Sequence, residues 1–368
     1  MMRASVRAAG LLSAVLLGAS LLTACENAVT GDSVRTGDSD TAKIGLLLPD
    51  SVTARYESAD RPYFEARVAQ LCPECEVLYS NADGDAGKQL QQAESMLTQG
   101  VRVLVLDPFD GKAAATIVAQ AEAQGVPVIS YDRLIDSPDL AYYVSFDNEQ
   151  VGKLQATALI ERLEADGVSP HSGGIVMING SPTDNNASQF KLGAHSVIDE
   201  SGYTVLAESS IPGWDPAKAQ DWVAGQITQY GDRIIGVYGA NDQMGGAAIA
   251  ALKAVGVSPL PPVTGQDAEL AAIQRILSGD QYMTVYKAFK PEAEKAAELA
   301  IALIRGERPE GANLVSTSSG GKIPSFLLTP LAVTVDDIEK TVIADDLYTV
   351  EEICTAQYRA ACDAHDIR

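Results

Sequence analysis

Short apolar runs rich in Val, Leu and Ile recur along the chain, spaced so that one helix fits between most neighbours. The first series is 43–48 (KIGLLL), 76–80 (EVLYS), 101–106 (VRVLVL), 127–131 (PVISY) and 143–146 (YVSF). The second is 174–179 (GIVMIN), 204–208 (TVLAE), 234–238 (IIGVY), 261–264 (PPVT) and 282–286 (YMTVY), with two further runs at 325–329 and 332–335. Between them, apolar positions fall three and four apart. In 88–99 (KQLQQAESMLTQ), Leu90, Ala93 and Leu97 share one helix face and Gly100 supplies a C-terminal stop. Residues 112–124 and 151–165 behave similarly, and at 215–226 Asp215 can cap a helix with Pro216 in its first turn. Strands apolar on both faces and separated by helices predict parallel sheets of βαβ units. Two series predict an α/β protein of two doubly wound, Rossmann-like lobes.

Composition narrows the chemistry. The 368 residues are 46% hydrophobic and 21% charged, which allows a sizeable core and excludes wholesale disorder. Lys and Arg total 27 against 49 Asp and Glu, for a formal charge of −22, which argues against a nucleic-acid partner. His occurs only at His171, His195 and His365, too few for a multi-His metal site or a His-based triad to be expected. Residues 84–88 (GDAGK) imitate a phosphate loop but have Ala82 where its first Gly belongs and Gln89 where its hydroxyl belongs. No nucleophile elbow, His-Glu-x-x-His or calcium-loop spacing occurs. No cofactor or metal is expected, and 316–321 (STSSGG) reads as a mobile loop.

Arg3 and Arg7 precede an apolar run over residues 8–22, too short to span a bilayer comfortably and suited to a secretory signal. It ends in Leu22-Thr23-Ala24-Cys25, which resembles the lipobox of bacterial lipoproteins. The expectation is a signal peptide over 1–24, acylation of Cys25, and a polar tether over 25–41 that holds an exported protein to the membrane by its lipid alone. Cys72, Cys75, Cys354 and Cys362 remain. An exported chain with an even number of cysteines favours disulfides Cys72–Cys75 and Cys354–Cys362; a four-thiolate zinc site and a redox pair stay open as alternatives.

In open α/β sheets a ligand binds beyond the carboxyl ends of the strands. The residues there are Tyr131-Asp132-Arg133, Ser145 to Asn148, Gly180 to Asn186, Gly213-Trp214, Asn241-Asp242, Gln266-Asp267 and Tyr286-Lys287. Carboxylates, carboxamides and guanidinium groups make paired hydrogen bonds to vicinal hydroxyls, and an aromatic face packs on the C–H face of a pyranose. The set suits a neutral, polyhydroxylated ligand.

The strings 131–133 (YDR), 145–149 (SFDNE), 180–187 (GSPTDNNA), 241–242 (ND), 264–268 (TGQDA), 283–287 (MTVYK), 327–330 (LLTP) and 341–345 (TVIAD) carry a resemblance. In order and placement the chain resembles the periplasmic sugar-binding proteins of ABC importers, of the D-xylose-binding type, from about residue 42 to about 345. The resemblance implies the type I periplasmic binding protein fold: one lobe of 42–147 with 286–328, another of 148–285 with 329–368, and a three-segment hinge. It implies a monosaccharide ligand held by Arg55, Asp132, Arg133, Asp184, Asn186, Asn241, Asp267 and Lys287, with Tyr56 and Trp214 as stacking platforms. Tyr56 stands where close relatives have Trp, and 49–61 is one residue longer than their pattern. The implied role is non-catalytic: a monomeric receptor that delivers the sugar to an ABC-type permease. A sugar sensor acting on a membrane signalling receptor, and an exported carbohydrate-active enzyme with Asp184 and Asp267 as paired carboxylates, are the alternatives.

Each residue also has a plainer role: Asp132-Arg133 as a surface pair, Asp184 and Asn186 as turn residues after Pro182, Asp267 as an N-cap, Trp214 as core and Lys287 as a solvated lysine.

Overall fold

The computed structural model describes residues 41–311 and 313–368. The expected signal peptide, Cys25 and nearly all of the tether lie outside the described residues. Strands β1 (Lys43–Leu48), β2 (Glu76–Asn81), β3 (Val103–Leu106), β4 (Val128–Tyr131) and β5 (Tyr142–Phe146) alternate with helices α1 (Arg61–Leu71), α2 (Ala86–Thr98) and α3 (Ala115–Glu122). The chain continues through α4 (Asn148–Ala165), β6 (Gly174–Asn179), α5 (Asn185–Ile198), β7 (Thr204–Ser210), α6 (Pro216–Tyr230), β8 (Ile234–Gly239), α7 (Asp242–Ala254) and α8 (Leu270–Leu277). It closes with β9 (Thr284–Tyr286), α9 (Phe289–Ile304), β10 (Asn313–Ser316), β11 (Lys322–Leu328), β12 (Leu331–Val333), α10 (Val350–Ile353) and α11 (Arg359–Ala364).

Seven strands form one sheet in the order β2-β1-β3-β4-β5-β11-β10, parallel except for β10. A second, parallel sheet has the order β7-β6-β8. In each, strand order reverses beside the first strand, between β1 and β3 and between β6 and β8; these are the switch points where such sheets bind ligands. Apolar clusters cover both faces of the larger sheet, and one cluster encloses the smaller.

The chain passes between the sheets three times: from β5 into α4, from β9 into α9, and from β11 into β12. The amide of Asp147, which caps α4 by accepting from Gln150 N, donates to Leu328 O at 3.0 Å and so ties the first crossing to the third. Strands β9 and β12 pair antiparallel as a two-stranded sheet of their own rather than extending the second parallel sheet.

Two expectations need correction. Residues 261–264 form no strand; Val263 makes a single bridge to Val237, because Pro261 and Pro262 have no N–H to give a ladder. Residues 316–321 are not a loose loop but the end of β10 and its turn into β11, an antiparallel hairpin.

The C-terminal segment packs as a fourth apolar cluster. Ile338, Val342, Ile353 and the buried Cys354 and Cys362 lie with Tyr286, Val333 and the inner face of α8. Cys354 and Cys362 stand at disulfide distance, 2.01 Å between sulfurs, as do Cys72 and Cys75 at the turn from α1 to β2, 1.97 Å.

Helices α4 and α5 cross on two glycines. A Cβ on Gly152 would meet Phe190 O at 1.9 Å, and one on Gly193 would meet Glu149 O at 2.0 Å. Glycine inside a helix ordinarily costs about 1 kcal/mol against alanine. Here Gly152→Ala should reverse that sign and destabilise by about 1–3 kcal/mol through overpacking. Gly225 in α6 has nothing within 4 Å of its Cβ position, so Gly225→Ala should stabilise by about 0.5–1 kcal/mol. Urea unfolding of the two variants checks both signs.

Candidate functional site

The carboxyl ends of both sheets face one cleft lined by Thr53, Arg55, Tyr56, Asp132, Arg133, Asp184, Asn186, Phe190, Trp214, Asn241, Gln266, Asp267 and Lys287. All ten residues marked in the sequence are among them. The free space within the cleft is only about 20 Å³, so its walls stand close together. The lobes touch directly: Asn186 Nδ2 donates to Asp132 O at 3.0 Å, Gly111 N to Thr183 O at 3.2 Å, and Gln243 Nε2 to Val52 O at 2.6 Å.

From the first sheet, the loop after β1 brings in Arg55 and Tyr56. The turn Tyr56–Asp60 is π-helical and runs on into α1, with Arg61 N bonded to Tyr56 O. An i→i+5 closure holds one residue more than an α-turn. Arg55 is engaged by the protein itself. Its Nε donates to Asp60 at 2.8 Å, its Nη2 to Asp60 at 2.5 Å and to Glu292 at 2.6 Å, and its guanidinium lies 4.0 Å from the Phe289 ring centroid. Only Nη1, 3.4 Å from Asp132 Oδ1, is loosely held. Tyr56 donates to Asp132 Oδ2 at 3.2 Å, with the guanidinium carbons of Arg55 and Arg133 5.5 and 5.6 Å from its ring centroid.

Asp132 follows β4 with φ +52°, in the left-handed region that non-glycine residues seldom occupy. Its carbonyl accepts from Tyr143 Oη, Ser145 Oγ and Asn186 Nδ2, which holds that conformation. Burial pushes its carboxyl up, but Arg55, Lys287 and Arg133 outweigh this and hold it below the ordinary value. Arg133 is gripped less closely than Arg55: its hydrogen bonds to Pro108 O and Asp50 Oδ2 measure 3.4 and 3.5 Å, and its one short ion pair, Nε to Asp184 at 3.1 Å, crosses to the other lobe.

From the second sheet, Asp184 caps α5 through Asn186 N at 2.8 Å and accepts from Trp214 Nε1 at 3.0 Å. It is a turn residue and a cleft residue at once. Trp214 has φ +54° after a left-handed Gly213, and its indole lies against Gly180, where a Cβ would meet the ring at 2.0 Å. Asn241 caps α7 through Met244 N at 2.9 Å, which uses its oxygen and leaves its amide N–H groups for the cleft. Asp267 is not the N-cap of α8; Glu269 occupies that position. Asp267 has φ +92° and sits 3.0 Å from Lys287 Nζ, at an angle that leaves its Oδ1 without a hydrogen bond. Gln266 Oε1 is likewise buried without a partner. Lys287, at the second crossing, is buried rather than solvated. Burial lowers its ammonium, yet Asp267 and Asp132 raise it above the ordinary value.

Thr53, Phe190 and Gln266 line the cleft without having been singled out as ligand residues. Gln266 lay within a strand-end string; Phe190, on α5, carries no signal to set it apart from core. Among the described residues, no group of three or more His, Cys, Asp or Glu is arranged to hold a metal ion, and no helix is long and apolar enough to cross a membrane.

Two doubly wound lobes joined by three crossings and meeting over a polar cleft define a solute-binding protein of the type I fold. The chain belongs to the periplasmic binding protein family: residues 44–308 match the periplasmic binding protein domain. It is 38% identical over 315 residues to the D-xylose-binding periplasmic protein of Haemophilus influenzae, covering 84% of this chain and 92% of that one. To the protein of the same name from Escherichia coli it is 36% identical over 315 residues, with the same coverage. Among solved structures it resembles an ABC transporter solute-binding protein from Clostridium phytofermentans with bound β-D-glucose, at a TM-score of 0.79 and 28% identity, covering 84% of this chain and 99% of that one. These are binding components of transport systems, not enzymes, and they act outside the cytoplasm.

The two arginines should separate by experiment. Arg55→Ala strips Asp60, Asp132 and Glu292 of their cation in the first lobe, and breaking such buried pairs costs about 3–5 kcal/mol. The expected result is a large loss of stability in denaturant melts without ligand, greater than for Arg133→Ala, whose hydrogen bonds are longer.

Proposed function

We propose that the cleft captures a neutral monosaccharide, D-xylose or a related aldopyranose, and that the closed protein presents it to an ABC-type sugar permease. The observation that carries this reading is the pair of buried acceptors without donors, Gln266 Oε1 and Asp267 Oδ1, opposite a loosely bonded Arg133. Buried polar atoms ordinarily have partners, and hydroxyl groups supply donors and acceptors at the spacing of a sugar ring. Lys287 and the arginines balance much of the carboxylate charge, which favours a neutral guest over an ion.

In this reading Arg133 and Asp132 bond the sugar from one lobe; Asp184, Asn186, Asn241 and Asp267 bond it from the other; and Lys287 reaches it from the crossing. Trp214 and Tyr56 offer aromatic faces. Arg55 acts through Asp132, which it orients. The ligand favours the closed form because only there do both lobes contact it. An affinity near micromolar corresponds to about −8 kcal/mol. The names of the relatives in Haemophilus influenzae and Escherichia coli support xylose in particular. We also propose that the protein is a monomer anchored through an acylated Cys25, on the strength of Arg3, Arg7, the apolar 8–22 and the small residues ahead of the cysteine.

Thermal-shift screening of a monosaccharide panel is the first test: pentoses or hexoses should raise the melting temperature and amino acids should not. Leucine or glutamate acting where no sugar does would overturn the reading. Arg133→Ala and Asp267→Ala each remove charge-assisted hydrogen bonds worth about 1.5–3 kcal/mol, so each should weaken binding of the best sugar at least about tenfold by calorimetry.

We further propose that both cysteine pairs are disulfides. Alkylation without reductant, followed by intact-mass measurement of the domain lacking Cys25, should find no modified thiol.

A further inference from the structure

Two carboxylates from different lobes lie near one guanidinium nitrogen. Arg133 Nε lies 3.1 Å from Asp184 Oδ2 and 3.8 Å from Asp107 Oδ1. Asp184 belongs to the second lobe; Asp107 immediately follows β3 in the first. Asp107 is fully buried, and neither of its oxygens has a hydrogen-bond partner. Its backbone is fixed on both sides, N–H to Leu47 O at 2.9 Å and carbonyl to Gln89 Nε2 at 2.8 Å.

The charged and titratable groups around Asp107 are Arg133 and Asp132 beyond β4, Arg55 and Tyr56 beyond β1, and Asp184 from the other lobe; Asp50 acts on Arg133 and Tyr56 beside them. Arg55 is already committed to Asp60 and Glu292. Among the described residues Arg133 is therefore the cation left to serve Asp107, and in this closed arrangement its Nε lies nearer to Asp184 than to Asp107.

We infer that Asp107 and Asp184 compete for Arg133, and that closing the lobes transfers the guanidinium to Asp184 and leaves Asp107 to take up a proton from solvent. The inference rests on the reading of the cleft as a hinged sugar site. With the lobes apart, Asp184 is withdrawn and Arg133 is the charged partner of Asp107. With them closed, an ionised Asp107 would be buried without a hydrogen bond, and protonation lowers that cost by removing the charge. Burial, the largest influence, raises the Asp107 carboxyl well above the ordinary carboxylate range despite Arg133, and Asp132 and Asp184 add to the rise. Asp107 is thus a positioning residue: it holds Arg133 in the first lobe until the second arrives.

The sign of the pH dependence follows. The closed form holds one proton more, so sugar affinity is greatest at low pH. It falls by up to tenfold per pH unit as pH rises from the open-form pKa of Asp107 to its closed-form pKa, and levels off above.

The test is calorimetry of the best-binding monosaccharide at about pH 5 to 8, in buffers of differing ionisation enthalpy. Wild type should take up as much as one proton per sugar bound and lose affinity as pH rises. Asp107→Asn should bind sugar with no uptake and an affinity independent of pH; Asp107→Ser repeats the test with a smaller side chain. Glu292→Gln, which neutralises a second buried carboxyl with an unpartnered oxygen, one that lies outside the cleft lining, should retain the uptake. Sugar binding by wild type without uptake, or uptake that persists in Asp107→Asn or disappears in Glu292→Gln, would overturn the inference and leave the sugar reading standing. Absence of binding by any monosaccharide would overturn both.

Discussion

Arg55, Arg133 and Lys287 are buried at the meeting of the lobes among more carboxylates than they can neutralise. Such charges are tolerable only where partners and hydrogen bonds replace water. The partners of Arg133 and Lys287 come from both sides, Asp50 with Asp184 and Asp132 with Asp267. Neither lobe can satisfy these groups alone once they are dry. Closure without a guest would bury acceptors that still lack donors, which the proposed hydroxyl-rich guest would supply. The arrangement makes the bound molecule part of the interior, which is how a rigid pair of lobes can respond to something so small.

Rigidity is maintained around deliberate strain. Asp132, Trp214 and Asp267 all have positive φ, a cost of order 1–3 kcal/mol each outside glycine. The surroundings over-determine each: three donors on the Asp132 carbonyl, a left-handed Gly213 before Trp214, and Asp267 N held by Val285 O. The crossings add their own restraint, since Asp147 and Leu328 bind two of them together.

Most of the architecture was legible from pattern alone because parallel strands buried on both faces are continuous apolar runs, and α/β switch points have a known relation to strand ends. Asp132, Arg133, Asp184, Asn241 and Asp267 could be nominated on that ground. What escaped was long-range or conformational. Phe190 reads as core because its helix position is core. The carboxylates of Asp60 and Glu292 look like surface residues until Arg55 is placed between them. The pairing of β9 with β12, and β10 with β11, depends on which strands lie side by side rather than on their own sequence. Asp107 follows a strand as several cleft residues do, but only its missing partners distinguish it.

Asp184 carries three duties on one carboxylate: it caps α5, holds the Trp214 indole and reaches Arg133 across the lobes. Serine and asparagine are nearly its equals as helix caps. A lineage could therefore drift to either residue and keep its fold, expression and thermal behaviour while abandoning the other two duties. Selection for foldedness is blind at this position, and only selection for capture sees it. A descendant altered there would persist as a well-folded protein free to acquire a different guest.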